Sequence, residues 1–412
     1  MTTPRTHDIV VYGATGFVGK LTAAYLARHA PTGTTVALAG RSLSKLETVR
    51  RSLPPAAAEW PLLQADAADE AALKALAEST KVVITTVGPY AKYGLPLTTA
   101  CAEAGTDYVD LTGEVLFARE SIDTNHEIAR RTGARIVHSC GFDSIPSDLG
   151  VHVVHAAVVA DDAGELTDTT MVVTSMRGGV SGGTVDSLRT QIEVVKKDKK
   201  LRRLAASPYS LSPDRSREPD LGRQSDVQLV NGKDIAPGVR GWKAPFVMAS
   251  ANTRVVRRSN ALRDWAYGKQ FRYREVMSVG SSVASPLIAG AVSAGLGALV
   301  LALTVAPERL LDRVLPAPGN GPSTQAQESG HFTVDIYTKT TTGARYRSRV
   351  KAQGDPGYKA TAVMLGESAL ALVHDRDELP NAAGVLTPAT AIGDALVTRL
   401  TDAGFEIWAR KE

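Results

Sequence analysis

Residues 8–19 read Asp-Ile-Val-Val-Tyr-Gly-Ala-Thr-Gly-Phe-Val-Gly. The run Ile9 to Tyr12 is continuously apolar and stops at glycine, as a buried parallel strand does. Gly13, Gly16 and Gly19 follow at intervals of three, and a helical apolar pattern then passes through Leu21, Tyr25 and Leu26. A strand, a glycine turn and a helix let backbone approach a pyrophosphate, with the free N–H groups of the helix facing the anion. Gly13, Thr15, Gly16, Phe17, Val18 and Gly19 are therefore expected to hold a dinucleotide.

Outward from this stretch the alternation continues. Strands are predicted at 36–39, 61–66, 82–87, 108–111 and 135–139, with helices at 44–53, 70–77, 95–104 and 121–131 between them. That order predicts an α/β fold over residues 1–150, a Rossmann-type doubly wound parallel sheet with its ligand at the carboxyl ends of the strands. The second strand ends Ala39-Gly40-Arg41-Ser42. An acid there would hold a ribose 2′-hydroxyl. Arg41, with Ser42 beside it and Lys45 one turn on, instead suits a 2′-phosphate, so NADPH is expected rather than NADH. The alternative for Arg41 is a solvated surface cation. Asp66 closes the third strand, either to meet the adenine or to cap the next helix. Val87, Gly88 and Pro89 close the fourth, where the nicotinamide half belongs.

Beyond residue 150 the rhythm changes, and 412 residues are too many for one core. Strands at 169–175 and within 331–351, a charged helix near 185–205 and an irregular stretch at 206–240 predict a second, α+β substrate domain over 151–354. Helices at 357–374 and 388–400 are expected to return and pack beside the first domain, making 355–412 a unit of C-terminal helices. The net charge of +4 gives no sign of a nucleic-acid partner. Cys101 and Cys140 lack metal-ligand spacing and read as buried thiols. His152 and His155 have no third ligand nearby, so no metal is expected. The short polar start before Ile9 is no export signal, and a cytoplasmic protein is expected.

From Met277 to Ala306 the chain carries no charge. Upstream, Arg254, Arg257, Arg258, Arg263, Lys269, Arg272 and Arg274 stand against Asp264, and Arg309 and Arg313 follow the apolar run. Three readings stay open: a buried helix or wall of a lipid cavity, an element lying on the inner face of the cell membrane, and a transmembrane helix. Basic residues on both flanks disfavour a single span.

Several further blocks carry a resemblance. They are Thr86-Val87-Gly88-Pro89-Tyr90, Tyr108-Val109-Asp110-Leu111-Thr112-Gly113-Glu114, Gly141 to Asp148, Ser181-Gly182-Gly183-Thr184, Asn252-Thr253-Arg254, Ser259 to Leu262 and Gly384 to Ala389. With the opening glycine motif they resemble the saccharopine dehydrogenase-like oxidoreductases, and among these most of all the trans-acting enoyl reductases of phthiocerol dimycocerosate and phenolic glycolipid synthesis. The resemblance implies reduction of a carbon–carbon double bond in a carrier-bound polyketide or lipid chain, in service of a polyketide synthase. It also leaves open C=N or C=O reduction, as in the wider superfamily, and a cofactor-binding scaffold without turnover.

Enoyl reduction needs a proton for the α-carbon and a donor to the enolate oxygen. Tyr90 and Tyr93 could donate, or could pack near the cofactor. Asp143 and Ser144 could orient the nicotinamide, or could cap a helix. The loop Gly178 to Thr184, which contains Ser181, could bind an enolate, carboxylate or phosphate, or could be a turn.

Overall fold

The structure is a computed structural model describing residues 5–178, 182–305 and 321–412. Its first sheet contains β1 (His7–Tyr12), β2 (Val36–Gly40), β3 (Leu62–Gln64), β4 (Thr80–Thr85), β5 (Asp107–Val109) and β6 (Arg135–Val137). The second contains β7 (Leu166–Arg177), β8 (Val230–Asn231), β9 (Trp242–Pro245), β10 (Arg272–Ser278), β11 (His331–Thr340) and β12 (Arg345–Gln353). The C-terminal segment then supplies one strand to each: β13 (Gly384–Leu386) and β14 (Glu406–Lys411).

The first sheet runs β13-β6-β5-β4-β1-β2-β3 and is parallel throughout. Helices cover both of its faces, so Ile9, Val10 and Val11 are all fully buried, which explains why the strand shows no polar alternation. This is the Rossmann-type α/β arrangement expected from the sequence. The second sheet runs β14-β12-β11-β7-β10-β9-β8, and only β7 and β10 pair in parallel. Its inner face receives the helix Ile145–Ala160. The two approach closely at Gly150, where a Cβ would stand 2.4 Å from Ile336 Cδ1.

Three expectations need correction. The segment 355–412 is not helices alone. The helix Thr361–His374 does return to the helix Phe17–His29, where Tyr25 donates to Glu367 Oε1 at 2.5 Å. But β13 extends the first sheet and β14 the second. Neither stands out in sequence: β13 is three residues lying just before a predicted helix, and β14, Glu-Ile-Trp-Ala-Arg-Lys, is an edge strand without a continuous apolar run.

Three of the arginines upstream of the apolar run are taken up by the fold, while Lys269 and Arg272 of the same flank are exposed. Arg254, Arg257 and Arg258 lie on the helix Ala249–Leu262 and are 3%, 5% and 2% exposed. Arg254 pairs with Asp226, and Arg257 Nη2 donates to the Tyr273 carbonyl at 2.9 Å. Arg258 donates to the carbonyls of Leu211 at 2.5 Å and Val385 at 2.6 Å. A guanidinium presents several donors in one plane, so one side chain can satisfy carbonyls from distant segments.

The apolar run is not a buried helix. Met277 and Ser278 end β10, and the helix spans Ser285–Val305. Ala289 and Leu303 are buried, but Leu287, Ile288, Leu299 and Leu301 are 79%, 42%, 39% and 60% exposed. Its main contacts are with β9 and the helix Gly182–Lys197. Ala306, Arg309 and Arg313 lie outside the described residues.

Candidate cofactor and active site

The three glycines after β1 have different reasons to be glycine. Gly13 has φ of +88°, and a Cβ on it would stand 2.8 Å from Thr86 Oγ1. A Cβ on Gly19 would stand 2.3 Å from the Gly13 carbonyl oxygen. The fold itself therefore demands both. Gly16 has an ordinary φ of −74°, and its Cβ would meet only the Gly13 oxygen, at 3.2 Å. Gly16 caps the helix Phe17–His29, and no side chain caps its N-terminal N–H groups. Space and donors are left over, which is what an approaching diphosphate requires. Thr86 Oγ1 donates to the Gly13 carbonyl at 3.1 Å and ties the end of β4 to this loop.

Thr15 and Val18 are partly exposed beside it. Phe17 turns elsewhere. Its ring meets Tyr358 edge-on at 4.9 Å, and a Cβ on Gly321 would stand 2.2 Å from it. It docks the C-terminal part of the chain onto the glycine loop.

At the end of β2, Arg41 is exposed. Ser42 begins the next helix and accepts from the Lys45 N–H at 3.4 Å. Asp66 is exposed and accepts from the Ala68 N–H at 3.0 Å. It is not the cap of the following helix, because Asp69 fills that role by accepting from the Ala72 N–H at 3.0 Å. Arg41 and Asp66 both act on Tyr12, whose phenol burial pushes up to about 12, Asp66 raising it further and Arg41 opposing. Both charges thus stand at the same end of the sheet as the glycine loop.

At the end of β4, Val87 and Pro89 are partly buried and Gly88 is exposed. Pro89 is the cap residue of the helix Tyr90–Ala104. Tyr90 is buried, donates to the Thr85 carbonyl at 3.1 Å and stacks on Phe117 at 5.6 Å. Burial holds its phenol well above the ordinary value. Its hydroxyl is already committed, so Tyr90 packs rather than donates to a ligand. Tyr93, one turn on, is 46% exposed.

After β6, the Asp143 carboxyl is partly buried and makes no hydrogen bond among the described residues. Desolvation pushes it up to about 6. Ser144 is buried and donates to Asn252 Oδ1 at 3.0 Å, and its side chain caps no helix. Ser181 lies outside the described residues.

Two acids in the Tyr108–Glu114 block had no role assigned from sequence. Glu114 is buried, and its carboxylate accepts the N–H groups of Tyr90 at 2.9 Å and Ala91 at 2.8 Å. Negative charge at a helix N-terminus is favourable. Ser187 also donates to it, at 2.6 Å, which links the first domain to the helix Gly182–Lys197. Asp110 accepts from the N–H groups of Thr112 and Ser139 at 3.0 and 2.9 Å and pairs with His138 Nδ1 at 2.7 Å. His138 Nε2 meets Ser121 Oγ at 2.9 Å. Ser121, His138 and Asp110 are all buried, so this chain of side chains braces the turn after β5 and offers no nucleophile to a substrate. The signal for Glu114 was its position just before the helix Val115–Thr132; its acceptors point backwards to the helix Tyr90–Ala104, which no local pattern reveals.

Residues 9–137 match the family described as the saccharopine dehydrogenase NADP binding domain. A protein of Mycobacterium tuberculosis, designated provisionally as a trans-acting enoyl reductase, is 54% identical to this chain over 98% of each. Proteins named trans-acting enoyl reductase in Mycobacterium bovis and Mycobacterium ulcerans are 52% and 50% identical, over 97% and 99% of this chain and 97% and 98% of theirs. The apo saccharopine dehydrogenase (L-Glu forming) of Saccharomyces cerevisiae superposes with a TM-score of 0.54 at 13% identity, covering 98% of this chain and 100% of its own, a likeness of fold.

Proposed function

Because this chain belongs to the trans-acting enoyl reductases built on a saccharopine dehydrogenase-type NADP-binding domain, we infer that it is an NADPH-dependent enoyl reductase acting on a carbon–carbon double bond in a carrier-bound polyketide or lipid intermediate. The observation that carries the cofactor half is the loop around Gly16: its φ is ordinary, a Cβ there would be crowded only by the Gly13 carbonyl at 3.2 Å, and the helix N–H groups it precedes are uncapped, as a diphosphate site requires. The donor set fits the group. Gly16, Thr15 and the uncapped N–H groups of the following helix would hold the diphosphate, and Arg41 with Ser42 would hold the 2′-phosphate.

When bound, NADPH supplies the hydride for the β-carbon. The protein must deliver the proton. Asp143 fits that task better than Tyr90, whose hydroxyl is committed to the Thr85 carbonyl. An unpaired carboxyl pushed up to about 6 still carries a proton in part of the molecules near neutral pH. Tyr93, exposed in the first turn of the helix that follows β4, is the candidate donor to the carbonyl oxygen of an incoming thioester. The working partner is a polyketide synthase that presents the carrier-bound chain. A cytoplasmic working place fits the cofactor and the two buried free thiols, Cys101 and Cys140.

Loss of NADPH absorbance with a carrier-linked 2-enoyl thioester tests the reading, with a 3-keto thioester as comparison. Turnover of the enoyl substrate alone is expected. Turnover of the keto substrate alone would move the protein to C=O chemistry. Tight NADPH binding with no turnover of either would leave a scaffold.

A further inference from the structure

We propose that the helix Ser285–Val305 and the basic segment 196–203 form one docking surface for an anionic lipid bilayer, which the protein touches without crossing. The first observation is apolar. Val283, Leu287, Ile288, Leu299 and Leu301 point to solvent from one side of the helix and its approach, Val283 being fully exposed. Among the described residues nothing covers that side. Gly290, Gly295 and Gly297 have open space where a Cβ would be.

The second observation is charge. Residues 196–203 read Lys-Lys-Asp-Lys-Lys-Leu-Arg-Arg, and Lys196, Lys197, Lys199, Lys200, Arg202 and Arg203 are exposed. Asp198 is occupied as a helix cap, accepting from the N–H groups of Lys200 and Leu201. No ion pair involves Lys197, Lys199, Lys200, Arg202 or Arg203 among the described residues. Lys196 donates to the Thr304 carbonyl, so the cationic segment begins where the apolar helix ends. An apolar face bordered by uncommitted cations is the pattern of an element that lies in an anionic interface. A second copy of the same surface would offer these cations no counter-charge.

The attachment of the helix argues against a span. Ser285 Oγ accepts from the Trp242 N–H at 3.1 Å, and Ala289 and Leu303 are buried against the body of the protein. A spanning helix would have to leave β9 and the helix Gly182–Lys197. Docked flat, it keeps these contacts and lowers its outer face into the lipid.

The test uses the full chain with vesicles of phosphatidylglycerol and, separately, of phosphatidylcholine, read by cosedimentation. Partition should be strong on phosphatidylglycerol, weak on phosphatidylcholine and reduced by salt. Each cation near an anionic surface contributes about a fivefold gain, so Lys199→Gln with Lys200→Gln should reduce partition roughly 25-fold. Leu287→Ser with Leu301→Ser should reduce it by about tenfold or more. All four side chains are exposed, so thermal melting and NADPH titration should be unchanged in both variants, which separates failure here from failure of the enoyl reductase reading. Absence of binding to either vesicle overturns the proposal. So does binding that ignores the lysine pair, a dimer formed through Leu287 and Leu301 without lipid binding, or insertion that resists carbonate.

Discussion

The helix Ala249–Leu262 and the segment 196–203 are both crowded with cations, and the fold treats them oppositely. Arg254, Arg257 and Arg258 are buried and bonded to Asp226 and to backbone carbonyls of three remote segments. The lysines and arginines of 196–203 are exposed. In sequence the first reads as a basic flank of the apolar run and the second as part of a charged helix. The difference is between residues the fold uses and residues it leaves over, and only the second kind points to an external partner. The glycine loop repeats the contrast on a smaller scale: a Cβ on Gly13 or Gly19 would overlap the chain outright at 2.8 or 2.3 Å, whereas one on Gly16 would only press on the Gly13 carbonyl at 3.2 Å.

The largest expected effect falls on a used residue. Arg258→Ala leaves the Leu211 and Val385 carbonyls without their donor and opens a hole at the junction of the two sheets. It should cost about 3 to 5 kcal/mol in urea denaturation. Lys200→Ala, the matching change on the exposed side, should stay within about 0.5 kcal/mol. Equal losses would erase the comparison.

Next comes the loop. Gly16→Val should weaken NADPH binding by about 100-fold or more in a calorimetric titration, while the fold persists apart from about 1 kcal/mol at the helix cap. Gly19→Ala should do the reverse and damage stability first, because its Cβ would overlap the Gly13 carbonyl at 2.3 Å. If Gly16→Val binds NADPH normally, Gly16 is not spare space for a diphosphate.

Asp143 is the spare carboxyl. Its folded value lies above its unfolded one, so the protonated form is full below the ordinary carboxylate range and is lost as pH rises through about 6. If it is the proton donor, turnover should fall on the alkaline side of about 6. Asp143→Asn should lower kcat by about 100-fold and flatten that limb. A surviving alkaline limb in the variant would assign the proton to another group. Arg41 is the spare cation of the cofactor site. Arg41→Asp should turn a preference for NADPH into one for NADH, a shift on the order of tenfold to 100-fold in the ratio of dissociation constants. Equal affinities in the unaltered protein would remove Arg41 from the site.

The first sheet was legible because its strands are buried on both faces and so appear as unbroken apolar runs, as at Ile9 to Tyr12 and Val82 to Ile84. Glycine spacing and Arg41 could be placed for the same reason, being fixed to strand ends. What escaped depends on partners far away in the chain. Nothing near Arg258 announces a carbonyl at 211 or 385, and nothing near Glu114 announces the N–H groups of Tyr90 and Ala91. Charge counts could not tell the buried arginines of 254–258 from the exposed cations of 196–203. Uncharged length likewise joined the end of β10 and a separate helix into one element.

β13 has a bearing on how the protein is made. Translation delivers β1 to β6 within the first 137 residues, but the neighbour of β6 is Gly384–Leu386. Until those residues emerge from the ribosome, β6 stands as an open edge with unpaired N–H and carbonyl groups, a template for pairing with another chain. The nascent first domain is thus incomplete for most of its synthesis. A polypeptide lacking residues 384–386 would keep that edge unpaired.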